Sequence, residues 1–399
     1  MRKIINDPVH GFITVDNPLI YQIISHPYFQ RLRRIKQMAL AYLVYPGAVH
    51  TRLHHSLGAY HLLSLALQEL IQKGVDITPE EKEATQLAIL LHDIGHGPFS
   101  HALELSLLNT HHEELSLQIM QLLNNEFKGA LDMTLLIFQK KYKKKFLCEL
   151  VSSQLDMDRL DYLARDSFFT GVSEGVVGYA RIIKMLNVVN NQLVVEEKGI
   201  HSIEKFLIAR RLMYWQVYLH KTVISSENML TQILKRAKAI ASSKNLFATP
   251  ALQIFLQSQS ISQQDYLETF LKLDDTDIIS SIKVWQNHED FILSNLCKRL
   301  VERRLFKTQF IHESEVEKVY EIKKKEILKN AIISESEIDY FLTRASTSNE
   351  TYNEMNQKIL IFTKGQEVKD ISTIENSLLV DTVLNPTKKY YICSIEGFS

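Results

Sequence analysis

Glycine and proline are scarce in this chain: its 399 residues contain 13 Gly and 8 Pro. Both residues interrupt helices, whereas β-rich architectures need many of them in their turns. The scarcity therefore favours long helices over a loop-rich β fold. Because 45% of the residues are hydrophobic and 23% are charged, the composition is that of a globular protein and excludes a disordered or collagen-like chain. We expect a mostly α fold.

The charges of the chain balance, since 46 Lys and Arg residues match 46 Asp and Glu residues. The chain therefore has no net charge that would attract nucleic acid or a membrane surface, and a site for an anion has to come from a local group of basic residues. The cysteines Cys148, Cys297 and Cys393 are far apart and odd in number, which is typical of a reducing compartment. The first residues contain no apolar run of signal-peptide length, and no run of about 18 apolar residues could span a bilayer. These features predict a cytoplasmic protein without a membrane segment.

Hydrophobic periodicity predicts a division of the chain into three regions. Helical patterns in the first region recur at about 52–73, 84–93, 112–127, 146–166 and 202–242, after an extended segment over 1–16, with a hairpin at 188–195. Residues 245–265, rich in Ser and Gln, indicate a loop or domain seam before helices at about 265–305. Short β-like runs are expected at 358–363, 377–383 and 389–395. The predicted regions are a helical core (1–240), peripheral helices (241–330) and a small α+β appendage (331–399).

Histidines are concentrated in one stretch, because nine of the 15 fall between residues 50 and 112. Imidazole has no general packing advantage over a Leu side chain, so this concentration needs a chemical reason. A metal or phosphate site is the common one. Single histidines on helices are usually structural, and we assign that role to His50, His54, His61 and His111.

The most informative string is Leu-Leu-His-Asp-Ile-Gly-His-Gly-Pro at residues 90–98. An apolar helix delivers adjacent His92 and Asp93 at its buried end, where a carboxylate is costly unless a cation or hydrogen bonds compensate. Neighbouring helix positions differ by about 100° in direction, so an ion held by this pair needs ligands from other helices. Candidates are His55, within the string at 52–58, and an aspartate of the string at 155–162. Such a mixed N/O set suits Fe, Mn, Co, Zn or Ni and leaves positions for water and a phosphate oxygen.

Two further helices show polar or aromatic stripes. Asp158, Tyr162 and Asp166 stand at i, i+4 and i+8 on one face, with Arg159 beside them. Surface ion pairs are the alternative, but the aspartates interrupt an apolar stretch, which favours a site. A second stripe contains Arg210, Tyr214 and Tyr218 at the same spacing. It suits an aromatic core face with snorkelling cations and a phosphate-binding role equally well.

At these residues the chain resembles the HD-domain superfamily, and within it the deoxynucleoside triphosphate triphosphohydrolases related to the human SAM-and-HD-domain enzyme. The matching strings lie at 5–11, 29–33, 35–37, 52–58, 92–101, 158–166, 218 and 220–221. The resemblance runs from residue 3 to about 310, and the tail is similar only to the bacterial members. It implies an HD-type helical core within 1–240. It also implies a metal held by His55, His92, Asp93 and Asp158, which selects Asp158 among the aspartates left open above.

The resemblance further implies roles around a bound deoxynucleoside triphosphate. His96, His101 and His112 would face the α-phosphate, and one of the first two would protonate the leaving oxygen. The implied substrate contacts are Arg52, Arg159 and Arg210 to the triphosphate, Tyr162 and Asp166 to the sugar, and Gln37, Met38 and Tyr218 around C2′. Arg159 replaces a lysine, Met38 stands where a leucine is usual, and Leu219 replaces a glutamine near the base. Base recognition therefore does not transfer.

The predicted reaction is attack of water on the α-phosphorus of a dNTP, with Asp158 and the three histidines as catalytic residues and Mg²⁺ on the remaining phosphates. One alternative is another HD chemistry, acting on nucleoside monophosphates, cyclic dinucleotides or guanosine tetraphosphate. A second alternative is a non-catalytic nucleotide sensor or single-stranded nucleic-acid binder. Two arginines, Arg52 and Arg210, favour a polyphosphate substrate.

The resemblance also implies a regulatory nucleotide bound between subunits, contacting Asn6, Gln30 and Arg33 with Lys3 and Ile4 beside them. It predicts a homo-oligomer, either a dimer or a tetramer. The aspartate that reads the guanine amino edge in the family is Ser25 here, so guanine selectivity should fall. Alternatively, Gln30 and Arg33 only cap and brace the N-terminal segment.

Overall fold

The computed structural model describes residues 2–108, 110–243, 246–257, 262–330, 333–349, 352, 358–374 and 387–397. Helices dominate this part of the chain, so the predicted mostly α class is confirmed. The helices are α1 (Pro18–Ser25), α2 (Pro27–Gln30), α3 (Arg52–Gln72), α4 (Pro79–Leu91), α5 (Ser100–Ser106), α6 (His112–Glu126), α7 (Asp132–Phe138), α8 (Lys145–Val151), α9 (Met157–Thr170), α10 (Tyr179–Met185), α11 (Ile200–Met213), α12 (Lys221–Ile240), α13 (Pro250–Leu256), α14 (Gln263–Phe270), α15 (Asp275–Trp285), α16 (Phe291–Val301) and α17 (Val316–Asn330).

Short strands form small sheets around this helical body. The strands are β1 (Lys3–Asp7), β2 (Gly11–Val15), β3 (Leu186–Val189), β4 (Gln192–Glu196), β5 (Lys307–Ile311), β6 (Leu342–Asn349), β7 (Leu360–Phe362), β8 (Val368–Asp370) and β9 (Thr387–Ser394). They are ordered β1-β2, β3-β4-β7-β8 and β5-β9-β6. The pairing of β4 with β7 is parallel, and the other pairings are antiparallel.

Helix α4 begins at Pro79, five residues before the start that periodicity predicts. The Thr78 side chain accepts from the backbone of Glu81, and the Glu81 carboxylate accepts from the backbone of Thr78, which together form a capping box. This reciprocal pair satisfies two helix-end donors. Periodicity misses the first turn because it detects only the apolar face, and this turn is polar.

Two predicted long helices are interrupted in the structure. The pattern over 146–166 is α8 and α9, separated by a loop from which the Asp156 side chain accepts the backbone N–H of Arg159 at 2.7 Å. The pattern over 202–242 is α11 and α12, joined through a π-helical turn at Tyr214–Tyr218. A π turn adds a residue to the helical repeat and is frequent at functional sites. Here it places Tyr218 at the end of α11.

The body of the fold is centred on α3, which packs against α4 and α9. Leu62, Leu63 and Leu67 of α3 are fully buried, and each such side chain stabilises the fold by about 1.5–3 kcal/mol relative to an exposed one. Leu90 and Leu91 at the end of α4 are fully buried as well. This packing brings residue 55 of α3, the residues that follow α4 and the first turn of α9 to one place.

The predicted hairpin around Asn190 and Asn191 is β3–β4. Both asparagines have positive φ, 50° and 62°, as a two-residue turn of type I′ requires. Among the predicted strands of the tail, 358–363 contains β7 and 389–395 overlaps β9, while 377–383 lies outside the described residues. Strand β5 was not predicted. Because β7 pairs with β4 and β9 pairs with β5, tail strands complete sheets begun earlier in the chain, and the three-region division stays a prediction.

In the part of the chain that the structure describes, no helix combines the length and the apolar character needed to cross a membrane.

Candidate active site

Four side chains from three helical segments converge on one point. Nε2 of His55 and Nε2 of His92 are 3.3 Å apart, and Oδ1 of Asp158 lies 3.1 Å from the first and 3.5 Å from the second. Asp93 completes the group, with Oδ1 at 3.4 Å from Nε2 of His92 and Oδ2 at 3.8 Å from Nε2 of His55. Ligands about 2.0–2.2 Å from one ion lie roughly 3 to 3.6 Å from each other. His55, His92 and Asp93 therefore have the spacing of a metal site, and Asp158, which lies beside both histidines, stays the proposed fourth ligand.

The opposite ring nitrogens of both histidines are held by oxygen atoms. Nδ1 of His55 lies 2.8 Å from Oδ2 of Asp161, and Nδ1 of His92 lies 2.6 Å from the carbonyl oxygen of Ile89. Burial opposes protonation, but hydrogen bonds to Asp158 and Asp161 raise the pKa of His55 to about 10. Because Nδ1 of each ring is directed at its oxygen acceptor, Nε2 is the atom left to a metal, and metal binding there would displace a proton. Outer hydrogen bonds of this kind orient histidine ligands in metalloproteins. The donor set fits a divalent transition metal.

The electrostatics of the group also favour a cation. Burial alone would raise the pKa of Asp93, but His92, His96 and Arg52 outweigh it and hold that pKa well below its usual range. Burial likewise opposes the shift at Asp158, whose pKa is lowered by His92 and by hydrogen bonding to His55. Both carboxylates are consequently ionised at neutral pH, and each offers a negative oxygen to the centre.

Three arginines were predicted to bind phosphate, and one of them contacts a candidate metal ligand directly. Nη1 of Arg52 donates to Oδ2 of Asp93 at 2.6 Å. Arg210 is buried and donates Nη1 to Oε1 of Gln154 at 2.9 Å. Arg159 donates Nε to the carbonyl oxygen of Ser153 at 2.7 Å. Three guanidinium groups, which always carry charge, therefore belong to segments around the metal ligands.

His96 and His112 form a stacked pair beside Asp93. Their ring centroids are 4.0 Å apart with an interplanar angle of 16°. Nε2 of His96 lies 3.2 Å from Oδ1 of Asp93, while Nδ1 of His112 lies 3.1 Å from Oε1 of Glu104. His96, Glu104 and His112 have metal-ligand spacing, but stacked rings direct their nitrogen lone pairs side by side rather than toward one ion. The side chain of His101 lies outside the described part of the structure.

The residues proposed for sugar recognition meet at Asp166. The Tyr218 hydroxyl donates to Oδ2 of Asp166 at 2.7 Å, and Nε2 of His50 lies 2.8 Å from Oδ1. The ring of Tyr162 packs edge-on against that of Tyr218, with centroids 6.2 Å apart. Gln37 joins the same region because its backbone N–H donates to the carbonyl oxygen of His50 at 3.0 Å. Met38, its neighbour, is buried.

The five residues proposed for a regulatory nucleotide lie on β1, at the end of α2 and in the 3₁₀ turn Arg31–Arg34 that follows α2. Lys3, Ile4 and Asn6 are exposed on β1. Gln30 donates to the carbonyl oxygen of Ile24 at 2.7 Å and accepts from Nε of Arg33 at 2.7 Å. The contacts of Gln30 and Arg33 are those expected of a brace at the end of α1, which is the alternative that the sequence left open.

Several residues of this region were missed, or given only a structural role, by sequence reasoning. Asp161 and Glu104 were not singled out, His10 was named only within a matching string, and His50 was expected to be structural. Asp161 stands three residues after Asp158 on α9, so its buried carboxylate was a detectable signal. Glu104 and His50 carry no local signal, because their partners His112 and Asp166 are 8 and 116 residues away.

Comparisons with known proteins show the family of the chain. A family model described as the HD domain matches residues 52–166, and one described as an HD associated region matches residues 177–381. The crystal structure of a phosphohydrolase from Bacteroides thetaiotaomicron is 48% identical with a TM-score of 0.93, covering 99% of this chain and 100% of that one.

Curated relatives extend the similarity. The uncharacterized protein YwfO of Bacillus subtilis is 34% identical over 96% of this chain and 89% of its own length. The deoxynucleoside triphosphate triphosphohydrolase SAMHD1 of Gallus gallus is 30% identical, over 82% of this chain and 58% of that protein. The chain thus spans little more than half of the relative whose activity is named.

Proposed function

Because the chain belongs to the HD-domain superfamily of phosphohydrolases, we propose that it hydrolyses deoxynucleoside triphosphates to deoxynucleoside and inorganic triphosphate. The observation that supports this most is the placement of Arg52 and the His96–His112 pair directly against Asp93 of the metal centre. A centre flanked in this way has a water-activating side and a phosphate-binding side, which phosphoryl hydrolysis requires.

The metal would be held by His55, His92, Asp93 and Asp158. When bound, a divalent transition metal supplies a polarised water and neutralises charge on a phosphoryl oxygen. Mg²⁺ is proposed only on the outer phosphates, since it prefers oxygen ligands and keeps several waters. The residues around the centre bind and orient the substrate.

The arginines neutralise the triphosphate. Arg52 faces the phosphate nearest the centre, because its guanidinium already contacts Asp93. Arg159, on α9, and Arg210, on α11, are proposed to bind the outer phosphates. Charge-assisted hydrogen bonds from guanidinium groups are the strong, directional contacts that a triphosphate needs.

Proton transfer is assigned to the histidines. Water adds its oxygen to the α-phosphorus and the bond from phosphorus to the 5′-oxygen breaks, so the 5′-oxygen needs a proton. His96, His101 and His112 are the candidate donors. Burial and the charge of Arg52 lower the pKa of His96 to about 3 in the free site, so His96 can donate a proton only after the negative phosphates of the substrate raise that pKa. Glu104 contacts Nδ1 of His112. Nε2, on the opposite side of that ring, therefore points away from Glu104.

Sugar recognition is assigned to the group around Asp166. Asp166 and Tyr162 are proposed to contact the deoxyribose, while Tyr218, Gln37 and Met38 limit the space beside C2′. The hydrogen bond from Tyr218 to Asp166 supports this, because it fixes the ring against the carboxylate that would bind the 3′-hydroxyl.

We further propose a homo-oligomer with a regulatory nucleotide near Lys3, Ile4, Asn6, Gln30 and Arg33.

The test is incubation of the purified protein with single dNTPs, Mn²⁺ and Mg²⁺, followed by separation of the products by anion-exchange chromatography. Deoxynucleoside and triphosphate in equal amounts are expected. Pyrophosphate with a deoxynucleoside monophosphate would mean that the bond between the α- and β-phosphates is cleaved instead of the bond from the α-phosphorus to the 5′-oxygen. Turnover only of monophosphates, cyclic dinucleotides or guanosine tetraphosphate would replace the proposal with another HD chemistry, and binding without turnover would indicate a nucleotide sensor.

A further inference from the structure

The carboxylate of Asp161 lies behind the metal centre and is surrounded by side-chain donors. Its Oδ2 accepts from Nδ1 of His55 at 2.8 Å and from Nε of Arg165 at 2.9 Å. Its Oδ1 accepts from Nε2 of His10 at 2.6 Å and from Nη2 of Arg165 at 2.9 Å. The side chains of Asp161 and Arg165 are fully buried, so water does not substitute for these donors. The position of Asp161, and with it that of His55, is set by these contacts.

Arg165 connects Asp161 to the first strand of the chain. Its Nη1 and Nη2 donate to the two carboxylate oxygens of Asp7, at 2.8 and 3.3 Å. Asp7 also accepts the backbone N–H groups of Val9 and His10, at 3.0 and 2.9 Å, and thereby shapes the turn that presents the His10 ring. The hairpin β1–β2 consequently reaches Asp161 by two routes, through Arg165 and through His10.

The backbone of α3 leaves room for this cluster only because residue 58 is glycine. A Cβ atom on Gly58 would lie 2.0 Å from Oδ1 of Asp161 and 2.1 Å from Nη2 of Arg165. Any side chain there would displace both groups. The ion pair thus contacts the same helix, one turn away, that carries His55.

The contact between Asp161 and His55 bears on the behaviour of His55 as a metal ligand. Oδ2 of Asp161 faces Nδ1 of His55, on the side of the ring opposite Nε2. A histidine whose Nδ1 hydrogen points at a carboxylate is fixed in orientation and is a more basic ligand at Nε2. The cluster therefore supplies both the orientation and the electron density that a metal ligand needs.

We propose that Asp161 is a positioning residue for His55, and that the N-terminal hairpin sets the metal affinity of the centre through Asp7 and His10. The inference rests on the metal site of the proposed function. It adds that the β1–β2 hairpin, which contacts Asp161 through His10 and contacts its partner Arg165 through Asp7, affects how tightly the metal binds.

The experiment is isothermal titration of metal-stripped, full-length protein with Mn²⁺. Removal of an outer partner of a metal ligand weakens binding by about 10- to 100-fold, so Asp161→Asn should lose affinity in that range. Asp7→Asn should lose less, about three- to tenfold. In the double variant Asp7→Asn/Asp161→Asn, the affinity should equal that of Asp161→Asn alone, because the effect of Asp7 passes through Asp161.

The matched control is Asp290→Asn, which removes another buried carboxylate with a bidentate arginine partner, Arg236. Arg236 lies on α12 and Asp290 is the N-cap residue of α16, whereas the proposed metal ligands lie on or beside α3, α4 and α9. Its loss should lower the melting temperature and leave the Mn²⁺ affinity within about twofold of wild type. Circular dichroism establishes that each variant is folded.

The outcomes separate the two proposals. Wild-type protein that binds no Mn²⁺ would overturn the metal site and the proposed function with it. Wild-type binding with unchanged affinity in Asp161→Asn would overturn the positioning role alone. Additive losses in the double variant would overturn the link from Asp7 through Asp161. Should Asp161→Asn not fold, His10→Ala tests the hairpin link: reduced Mn²⁺ affinity supports it, and unchanged affinity overturns it.

Discussion

Nη1 of Arg52 donates to Oδ2 of Asp93 at 2.6 Å, so a guanidinium and a proposed metal ligand form one buried ion pair. Oδ1 of the same aspartate faces Nε2 of His92 and Nε2 of His96, at 3.4 and 3.2 Å. Asp93 is thus the residue at which the metal side and the phosphate side of the proposed site meet. Its substitution is the most direct test of the whole arrangement.

Asp93→Asn is expected to abolish hydrolysis while the fold remains intact. Asparagine keeps the shape of the side chain but removes the charge that binds the cation and pairs with Arg52. A loss of several orders of magnitude in kcat is typical for a central metal ligand. Metal content by mass spectrometry should fall in parallel, and the circular dichroism spectrum should not change. Activity within about tenfold of wild type, with full metal content, would remove Asp93 from the ligand set.

The wild-type protein is expected to prefer deoxyribonucleotides, and Tyr218→Ala should relax that preference. A ribose hydroxyl beside the Tyr218 ring would clash or lose its hydration, costing on the order of 1–3 kcal/mol. The measurement is kcat/KM for dATP and ATP. Tyr218→Phe is the matched control: it keeps the ring, so it should keep the discrimination, although it loses the hydrogen bond to Asp166. Equal cleavage of ribo- and deoxynucleotides by wild type would favour the monophosphate alternative.

Glu104→Gln is expected to lower kcat about tenfold with little change in KM, because Glu104 orients His112 through Nδ1. His112→Ala should lower kcat further, by roughly 10²- to 10⁴-fold, as removal of a proton-transfer group does. Glu114→Gln, an exposed position on the same helix as His112, serves as the control and should match wild type. If Glu104→Gln were as active as wild type, the orienting role of Glu104 would be excluded.

Glu227→Gln is expected to stabilise the protein at pH 8 but hardly at pH 5. Glu227 lines a cavity of about 800 Å³ beside Asn228 and Tyr391, and burial raises its pKa from 4.5 to about 7. The folded protein keeps this proton up to about pH 7, while the unfolded chain releases it near pH 4.5. Stability therefore falls as the pH rises through this interval. Glutamine removes this partly buried charge, which should add about 1–2 kcal/mol to the unfolding free energy at pH 8 after solvent screening is allowed for.

Thermal melting of wild type and Glu227→Gln at both pH values checks this expectation. Glu321→Gln, an exposed glutamate on α17, is the control and should melt like wild type at both. A difference between wild type and Glu227→Gln that is the same at pH 5 and pH 8 would contradict the assignment, because it could not come from the ionisation of Glu227.

Nucleotide activation predicts that a second dNTP changes turnover of the first and the size of the assembly. An activator has to bind the active state more tightly than the inactive one, and Ser25 should make guanine less favoured than in the family. The assay follows each dNTP alone and in pairs, with mass measured by light scattering. Hyperbolic kinetics in every combination, on an oligomer of constant size, would exclude the regulatory site. That result would leave Gln30 and Arg33 as a brace and the catalytic assignment unaffected.

The mostly α class and the starts of α3 and α6 follow from the sequence. The caps at Asn17, Thr78 and Asp156 are local as well, since each accepts a backbone N–H within three residues. Hydrophobic periodicity nevertheless missed the starts of α4 and α9, because a polar cap adds nothing to an apolar pattern. The turn at Asn190 and Asn191 also has a local cause. The junction at Tyr214–Tyr218 could not be predicted, since a continuous apolar pattern does not distinguish a π turn from an α-helix.

The sequence also showed that the site needs a cation or hydrogen bonds to offset the cost of burying polar groups. An adjacent His92 and Asp93 at the buried end of an apolar helix require compensation, whatever the rest of the chain does. Which groups provide it was decided only by the tertiary structure. Asp161 lies 106 residues from His55 in the chain, and Asp166 lies 116 residues from His50. A sequence shows which side chains are costly to bury, but the partner that offsets the cost is the one that helix packing places within hydrogen-bonding distance.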